Sequence, residues 1–117
     1  MQGYILLSHG SKVKESNDAS AKVLEEVRKT IKNVQLAFLE LAEPDFGSAV
    51  KALKESGVTH INVLPLFLAP GKHVREDVPH LCETFGKQYE IEITQLQHIG
   101  ANSGYIKLIE NILEQKQ

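Results

Sequence analysis

Four short apolar segments alternate along this chain with four segments of helical periodicity, and this alternation limits the possible folds more than any other feature. The apolar segments are residues 4–7, 34–41, 61–69 and 91–96. Their lengths and the turn residues between them are typical of strands. A repeating strand–helix order predicts a parallel sheet with right-handed crossovers. We therefore expect a three-layer α/β fold, with a four-stranded parallel sheet of order 2-1-3-4 and helices on both faces, like one half of a larger doubly wound protein.

The first two helices are predicted from their apolar spacing. Residues 16–32 have one apolar face, formed by Ala19, Val23, Val27 and Ile31. The second helix begins near residue 46, and Gly57 is a suitable stop signal for it. The strand that follows, at 61–69, is nearly all apolar, as is typical of a strand covered on both faces.

The last two helices have candidate capping residues. Asp77 can cap the third helix, in which Pro79 falls within the first turn. The segment 91–96 is shorter and alternates, which suggests an edge strand. Asn102 then caps a fourth helix, which we expect to be buried through its apolar side chains: Tyr105, Leu108, Ile109, Ile112 and Leu113.

Bulk composition restricts the class of protein. A chain of 117 residues without an internal linker predicts one domain over residues 1–117. The net charge of −2 gives no electrostatic reason to expect nucleic acid or an anionic membrane as a partner. The apolar runs are too short to span a bilayer, and the N-terminus lacks the pattern of a signal peptide, so we expect a cytoplasmic protein. A single cysteine, Cys82, excludes an intramolecular disulfide and a thiolate cluster for zinc.

Several groups that can bind a metal or a proton follow the predicted strands. His9 follows the first strand, Glu40 ends the second, and His73 and His98 lie beyond the third and fourth. His60 instead precedes its strand and belongs to the opposite edge. In doubly wound sheets ligands bind at the carboxyl ends of the strands, so the first four residues lie on the edge expected to carry chemistry.

Each of these residues also has a purely structural interpretation. A histidine at a strand end is commonly a surface or capping residue, and Glu40 could equally be an exposed strand carboxylate. The case for His9 and His73 is better because Gly10 and Gly71 loosen the adjacent backbone. Two imidazoles without thiolates suit reversible binding of Fe²⁺, Co²⁺, Ni²⁺ or Zn²⁺ and leave coordination positions open. No nucleophile elbow or phosphate-binding loop is present in the sequence, so no organic cofactor is expected.

Three segments resemble the sirohydrochlorin chelatases of the CbiX and SirB type, which are relatives of class II protoporphyrin ferrochelatase. Residues 6–11 resemble the family's opening His-Gly-Ser, and residues 38–44 its Phe-Leu-Glu…Pro segment. Residues 63–79 are similar to its most diagnostic motif, an apolar strand, then Gly-x-His, then an acidic helix start with proline. The resemblance covers essentially the whole chain, in the right order.

The resemblance implies insertion of a divalent metal substrate, Co²⁺, Fe²⁺ or Ni²⁺, into the tetrapyrrole sirohydrochlorin. His9 and His73 match the metal-binding histidines, and Glu40 the active-site glutamate, which could steer the ion or accept a proton; one of the histidines is the alternative proton carrier. The residues expected to contact the macrocycle or its carboxylates are Ser11, Lys12, Phe67 and Lys72.

The resemblance also bears on substrate and assembly. Lys12 replaces the arginine frequent in the family, and residues 97–100 replace its Pro-Leu-Gly or Pro-Ile-Gly. These two differences leave the identity of the tetrapyrrole substrate undecided. Long members contain two similar halves across a cleft, so this chain implies a homodimer with the macrocycle between subunits. Two other hypotheses remain: a non-enzymatic divalent-metal carrier using the same histidines, and a structural or interaction domain. The apolar residues 67–70, able to line a flat site, favour the enzyme.

Overall fold

The computed structural model describes residues 1–115 and contains the predicted parallel sheet. The strand order is β2-β1-β3-β4, and every neighbouring pair is parallel, which confirms the α/β prediction. The strands are β1 (Gln2–Ser8), β2 (Val34–Phe38), β3 (His60–Pro65) and β4 (Glu92–Gln95). The helices are α1 (Lys14–Val27), α2 (Phe46–Glu55), α3 (Val78–Gln88) and α4 (Ser103–Glu114). A π-turn, His73–Asp77, precedes α3, and a 3₁₀ turn, Ile99–Ala101, precedes α4.

One face of the sheet is closed by α2 and α3. Alternate residues of β1 and β3 point to this face, as the two-residue period of a strand requires. The main core consists of these side chains and the inner faces of the two helices, and includes Ile5, Leu7, Ile61, Val63, Val50, Leu53 and Val78, all at most 1% exposed. This core fixes the sheet and therefore the carboxyl ends of its strands.

The opposite face is covered only in part, by α1. Leu24 and Val27 of α1 pack against a smaller cluster that contains Leu6, Leu36 and Phe38. The helix ends at Val27, earlier than the predicted residue 32, because the chain turns before entering β2. The predicted apolar face of α1, formed by Ala19, Val23, Val27 and Ile31, was also wrong in part, as the exposure of two of these residues shows.

Val23 and Ile31 are 45% and 42% exposed, and Ile31 lies outside the helix. β3 ends at Pro65 rather than at residue 69, and Asn62 and Leu64, on the partly covered face, are only half-buried. The expectation that this strand is covered on both faces was therefore wrong for the described chain.

Asp77 does not cap α3 as predicted. The π-turn runs directly into the helix, so Asp77 has helical dihedral angles and its side chain makes no capping hydrogen bond. Its carboxylate instead accepts a hydrogen bond from His73. By contrast, Asn102 caps α4 as predicted, with its side-chain oxygen accepting from the backbone N–H of Gly104 at 2.7 Å.

The largest difference from expectation is that α4 extends away from its own sheet. No residue of the helix is buried, and only Tyr105 is half-buried. The molecule is correspondingly elongated, 52 × 31 × 28 Å along its principal axes. Apolar periodicity predicts that a helix face is buried, but not which chain covers it. No helix within residues 1–115 is both long and apolar enough to cross a membrane.

Candidate metal centre

The backbone at the ends of β1 and β2 places His9 beside Glu40. The N–H groups of Leu39 and Glu40 donate to the carbonyls of Ser8 and His9 at 2.8 and 3.0 Å, so the two chain segments stay paired beyond the strands. Gly10 has φ of 96°, and a Cβ there would lie 1.8 Å from the carbonyl oxygen of Glu40. Only glycine fits this turn. His9 Nε2 lies 3.2 Å from Glu40 Oε2.

Asn17, a residue that the sequence analysis did not single out, holds the loop that follows His9. Its Oδ1 accepts from the backbone N–H of Ser11 at 3.0 Å, and its Nδ2 donates to the Ser11 carbonyl at 2.8 Å. The Ser11 hydroxyl accepts from the N–H of Val13 at 3.0 Å. Asparagine side chains commonly form hydrogen bonds with the loop backbone near the start of a helix. The position of Asn17 near the start of the first predicted helix could therefore have identified it.

His73 comes to the same edge from the π-turn after β3. Its ring centroid lies 5.0 Å from that of His9, with a 60° angle between the ring planes. Both imidazoles are accessible, with side-chain exposures of 42% for His9 and 39% for His73. The sequence prediction that the two rings share one edge is confirmed. His60 lies at the other end of the sheet, with Nε2 2.8 Å from the Thr94 hydroxyl.

Hydrogen bonds assign the same tautomer to both imidazoles when they are neutral. His9 Nδ1 lies 2.9 Å from the carbonyl oxygen of Gly10, and His73 Nδ1 lies 2.6 Å from Asp77 Oδ2. A carbonyl and a carboxylate only accept hydrogen bonds, so each Nδ1 carries the proton. In this tautomer the lone pair of each ring is on Nε2. This arrangement is common for metal-ligating histidines, in which a fixed outer hydrogen bond orients the ring.

The contact between His9 and Glu40 is compatible with either a proton or a cation between the two side chains. With Nδ1 protonated, His9 presents the lone pair of Nε2 to a carboxylate oxygen 3.2 Å away. Two acceptors at this distance repel each other unless a proton or a cation lies between them. Among residues 1–115 no three His, Cys, Asp or Glu side chains have the arrangement of a complete metal site. Two imidazoles supply half of the four ligands that a closed structural zinc site requires.

Phe67 borders the histidine pair. Its ring centroid lies 6.5 Å from that of His9 and 6.3 Å from that of His73, and its plane is inclined by 24° to the His73 ring. The aromatic ring and the two imidazoles thus lie close together at the edge of the sheet. An apolar surface with a few convergent polar groups is typical of ligand sites.

The remaining candidate residues lie outside this cluster. Lys12 and Lys72 are exposed at the same edge, on the loops after His9 and before His73. His98 is half-buried, directly before the 3₁₀ turn. Cys82 packs against the main core, and burial raises the pKa of its thiol to about 11, so it stays protonated near neutral pH.

Known proteins resemble this chain over its full length. The CbiX family profile matches residues 3–116. A sirohydrochlorin cobaltochelatase of Sulfolobus acidocaldarius is 33% identical over 116 residues, which cover 99% of this chain and 89% of that protein. The crystal structure of a putative cobalamin biosynthesis CbiX protein from Marinobacter aquaeolei VT8 has a TM-score of 0.92 and 33% identity, covering 99% of this chain and 94% of that one.

A longer relative is matched over half its length. The sirohydrochlorin chelatase SirB from Bacillus subtilis subspecies spizizenii, solved in complex with cobalt, has a TM-score of 0.86 and 28% identity to this chain. The match covers 97% of this chain and 50% of SirB. The matched 97% includes most or all of α4, so the chain corresponds to one half of the larger protein.

Proposed function

This chain belongs to the CbiX family and is a metal chelatase, and on that premise we propose that it inserts Co²⁺, Fe²⁺ or Ni²⁺ into sirohydrochlorin. The observation that carries the proposal is the pair of imidazoles of His9 and His73 on one sheet edge, each with its Nδ1 hydrogen-bonded and its lone pair on Nε2, beside the carboxylate of Glu40. We take residues 1–117 as the catalytic domain, in the cytoplasm, acting as a homodimer.

His9 and His73 hold the divalent metal substrate through Nε2 and share it with water. Neutral imidazole binds these metals without the very slow release that thiolates give, which suits an ion that must be handed on. The Nδ1–H bonds to Gly10 and Asp77 orient both rings and keep the lone pair of each neutral ring on Nε2. The protein thus supplies two fixed ligands and leaves the other coordination positions to the incoming macrocycle.

Insertion replaces two pyrrole N–H bonds by metal–nitrogen bonds, so the metal enters and two protons leave the macrocycle. Glu40 accepts a proton or draws the ion toward His9, and this role is supported by its half-exposed carboxylate, 3.2 Å from His9 Nε2. Phe67 offers a flat face for the macrocycle. Lys12 and Lys72, with the Ser11 loop, supply polar contacts for the substrate's carboxylates.

The direct test is anaerobic incubation of the protein with sirohydrochlorin and each metal in turn. We expect the absorbance change of metal insertion to exceed the non-enzymatic rate for at least one metal, and the relative rates to identify the preferred ion. Metal binding without any acceleration would overturn the enzymatic proposal and favour the carrier hypothesis. Loss of both binding and acceleration would leave an interaction domain.

A further inference from the structure

The carbonyl of Val74, in the π-turn that carries His73, cannot be paired in the usual helical way. A helical carbonyl accepts from the N–H four residues on in an α-helix and five residues on in a π-turn. Four residues on, the N–H of Val78 donates to the His73 carbonyl instead. Five residues on is Pro79, which has no N–H. The turn and the proline together remove both helical donors from a residue that is only 9% exposed.

Gln95 supplies the missing donor from the neighbouring strand. Its Nε2 donates to the Val74 carbonyl at 3.0 Å. Gln95 is the half-buried last residue of β4 and pairs in register with Val63 of β3. The N–H of the next residue, Leu96, donates to the Val63 carbonyl at 2.8 Å, so the sheet fixes the backbone on both sides of Gln95. Because a buried carbonyl without a partner is unfavourable, this bond ties the π-turn to the sheet.

The same turn places both members of the hydrogen bond that orients the candidate metal ligand. His73 is its first residue and Asp77 its last, and their side chains meet at 2.6 Å. One residue of a helix corresponds to a rotation of about 100°, so returning the turn to the α-helical register would rotate His73 by about that angle relative to α3. We propose that Gln95 is a positioning residue: through the Val74 carbonyl, its amide holds the π-turn in the register that presents the His73 imidazole to the metal.

The register of the turn argues that this bond serves the metal centre and not the core alone. An ordinary α-helical turn would pair the Val74 carbonyl with the N–H of Val78 and would need no side chain. The chain instead keeps a π-turn and completes it with a glutamine from another element. Such turns occur frequently at functional sites, and this one begins at His73 and ends at Asp77.

The sheet order gives Gln95 a counterpart on the other side of the histidine pair. His9 follows β1 and His73 follows β3, the two central strands, whereas β2 and β4 lie outside them. The segment after β2 holds His9, because the N–H of Glu40 donates to the His9 carbonyl at 3.0 Å. Gln95 holds the turn of His73 from β4. Each histidine is thus held from the strand on its outer side, and the inference rests on the proposed role of His73 as a metal ligand.

The first experiment measures the affinity for Co²⁺ by direct titration. Gln95→Met keeps an unbranched side chain of similar length and removes the N–H donor. We expect the dissociation constant to rise by about 10-fold, the lower end of the effect usual for groups that support a ligating histidine. Gln88→Met, the same substitution at an exposed position of α3, is the matched control and should bind Co²⁺ like the unmodified protein. Circular dichroism checks that both variants are folded.

The second experiment separates a positioning role from a structural one. In a His73→Ala background, Gln95→Met should change the residual affinity for Co²⁺ by about twofold at most, because its effect passes through an imidazole that is no longer present. Pro79→Ala provides an N–H five residues after Val74 and, combined with Gln95→Met, should recover most of the affinity. The ¹⁵N chemical shifts of His73, measured without metal, should indicate a mixed tautomer in Gln95→Met and return toward their original values in the combined variant.

Each other outcome contradicts the inference or the proposed function at a defined point. Unchanged affinity and ¹⁵N shifts in Gln95→Met, or an equal loss of affinity with and without His73, would overturn the positioning role. A loss that Pro79→Ala does not recover would overturn the Val74 carbonyl as its route. If affinity and shifts change as expected but the unmodified protein does not accelerate metal insertion, the proposed activity alone is wrong. If the unmodified protein binds no Co²⁺, the metal centre and the inference are both wrong.

Discussion

At the residue scale, the candidate metal centre is organised by two hydrogen bonds, one made by Nδ1 of each imidazole, on the side of the ring away from the proposed metal-binding Nε2. If nothing bonded to Nδ1, a neutral imidazole could carry its proton on either nitrogen. In the tautomer with the proton on Nε2, that nitrogen could not bind a metal. The Gly10 carbonyl and the Asp77 carboxylate remove this ambiguity for His9 and His73. We therefore expect ligand removal and partner removal to have different consequences.

Replacing His73 with Ala should abolish metal insertion above background and leave folding almost unchanged. The imidazole is 39% exposed and contributes little to the core, so the free energy of unfolding should change by less than about 0.5 kcal/mol. His9→Ala should behave in the same way, and the double variant should be little worse than either, because two ligands of one ion act as a unit. Insertion rate and melting temperature test this, with the exposed His80→Ala as control.

A fully active and stable His73→Ala protein would mean that the metal binds elsewhere. A strongly destabilised one would instead indicate that the ring has a structural role.

Asp77→Ala should lower the affinity for Co²⁺ by about 10–100-fold, the usual effect of removing the outer partner of a ligating histidine. Asp77→Asn keeps an acceptor and should restore part of the loss. The tautomer of His73, read from its ¹⁵N chemical shifts, should become mixed only in the Ala variant. Asp18→Ala, which removes an exposed ion pair with Lys14, is the control. Unchanged affinity and an unchanged tautomer in Asp77→Ala would exclude the positioning role.

The sequence predicted the residues that share the edge but not the contacts that orient them. His9, Glu40 and His73 follow strands, and strand ends can be placed from apolar runs alone. Asp77 was predicted as a helix cap, because sequence spacing cannot distinguish a capping carboxylate from one that faces a histidine four residues earlier. Asn17 bonds across a loop whose geometry depends on Gly10 and Glu40, which are distant in sequence.

At the element scale, periodicity predicted the existence of the four strands and the four helices better than the residues at which they end or the surfaces that pack against them. The third strand stops at Pro65 and α1 at Val27, each short of the apolar run that suggested it. The burial of α4 was wrong for the described chain because an apolar stripe specifies a contact but not the molecule that provides it. The close approach of Gly100 to Leu68, which directs α4, is a tertiary contact between residues far apart in sequence.

Gly100→Ala should destabilise the fold by about 1–3 kcal/mol, because the added methyl would overlap the Leu68 carbonyl and force the turn to move. Gly71→Ala is the matched control, since a Cβ at residue 71 meets nothing within 4 Å and φ there is not positive. Its effect should be neutral or slightly stabilising. Urea unfolding of the two variants measures the difference, and equal stabilities would mean that the 3₁₀ turn is not held as described.

At the scale of the whole molecule, the chain has one well-filled face and one that is only half covered. The filled face, under α2 and α3, accounts for most of the buried side chains and supports the histidine edge. The other face ends at a groove beside α4, and this helix starts at the same edge as the candidate metal centre. The uncovered helix and the candidate metal centre thus lie at one end of the molecule.

Because no residue of α4 is buried within its own chain, the free energy of unfolding should depend on protein concentration if a second copy covers the helix. If part of the apolar burial is intermolecular, the folded state gains free energy with each increase in protein concentration, by up to about 1.4 kcal/mol for each tenfold step. The melting temperature should therefore rise with concentration for the unmodified chain and for Asn111→Glu, a change on the polar side of α4. It should stay constant for Ile112→Glu, which places a carboxylate on the apolar side of the helix. A melting temperature that is independent of concentration in all three would contradict this. If the melting temperature does rise with concentration, dilution acts on this protein as a mild denaturant.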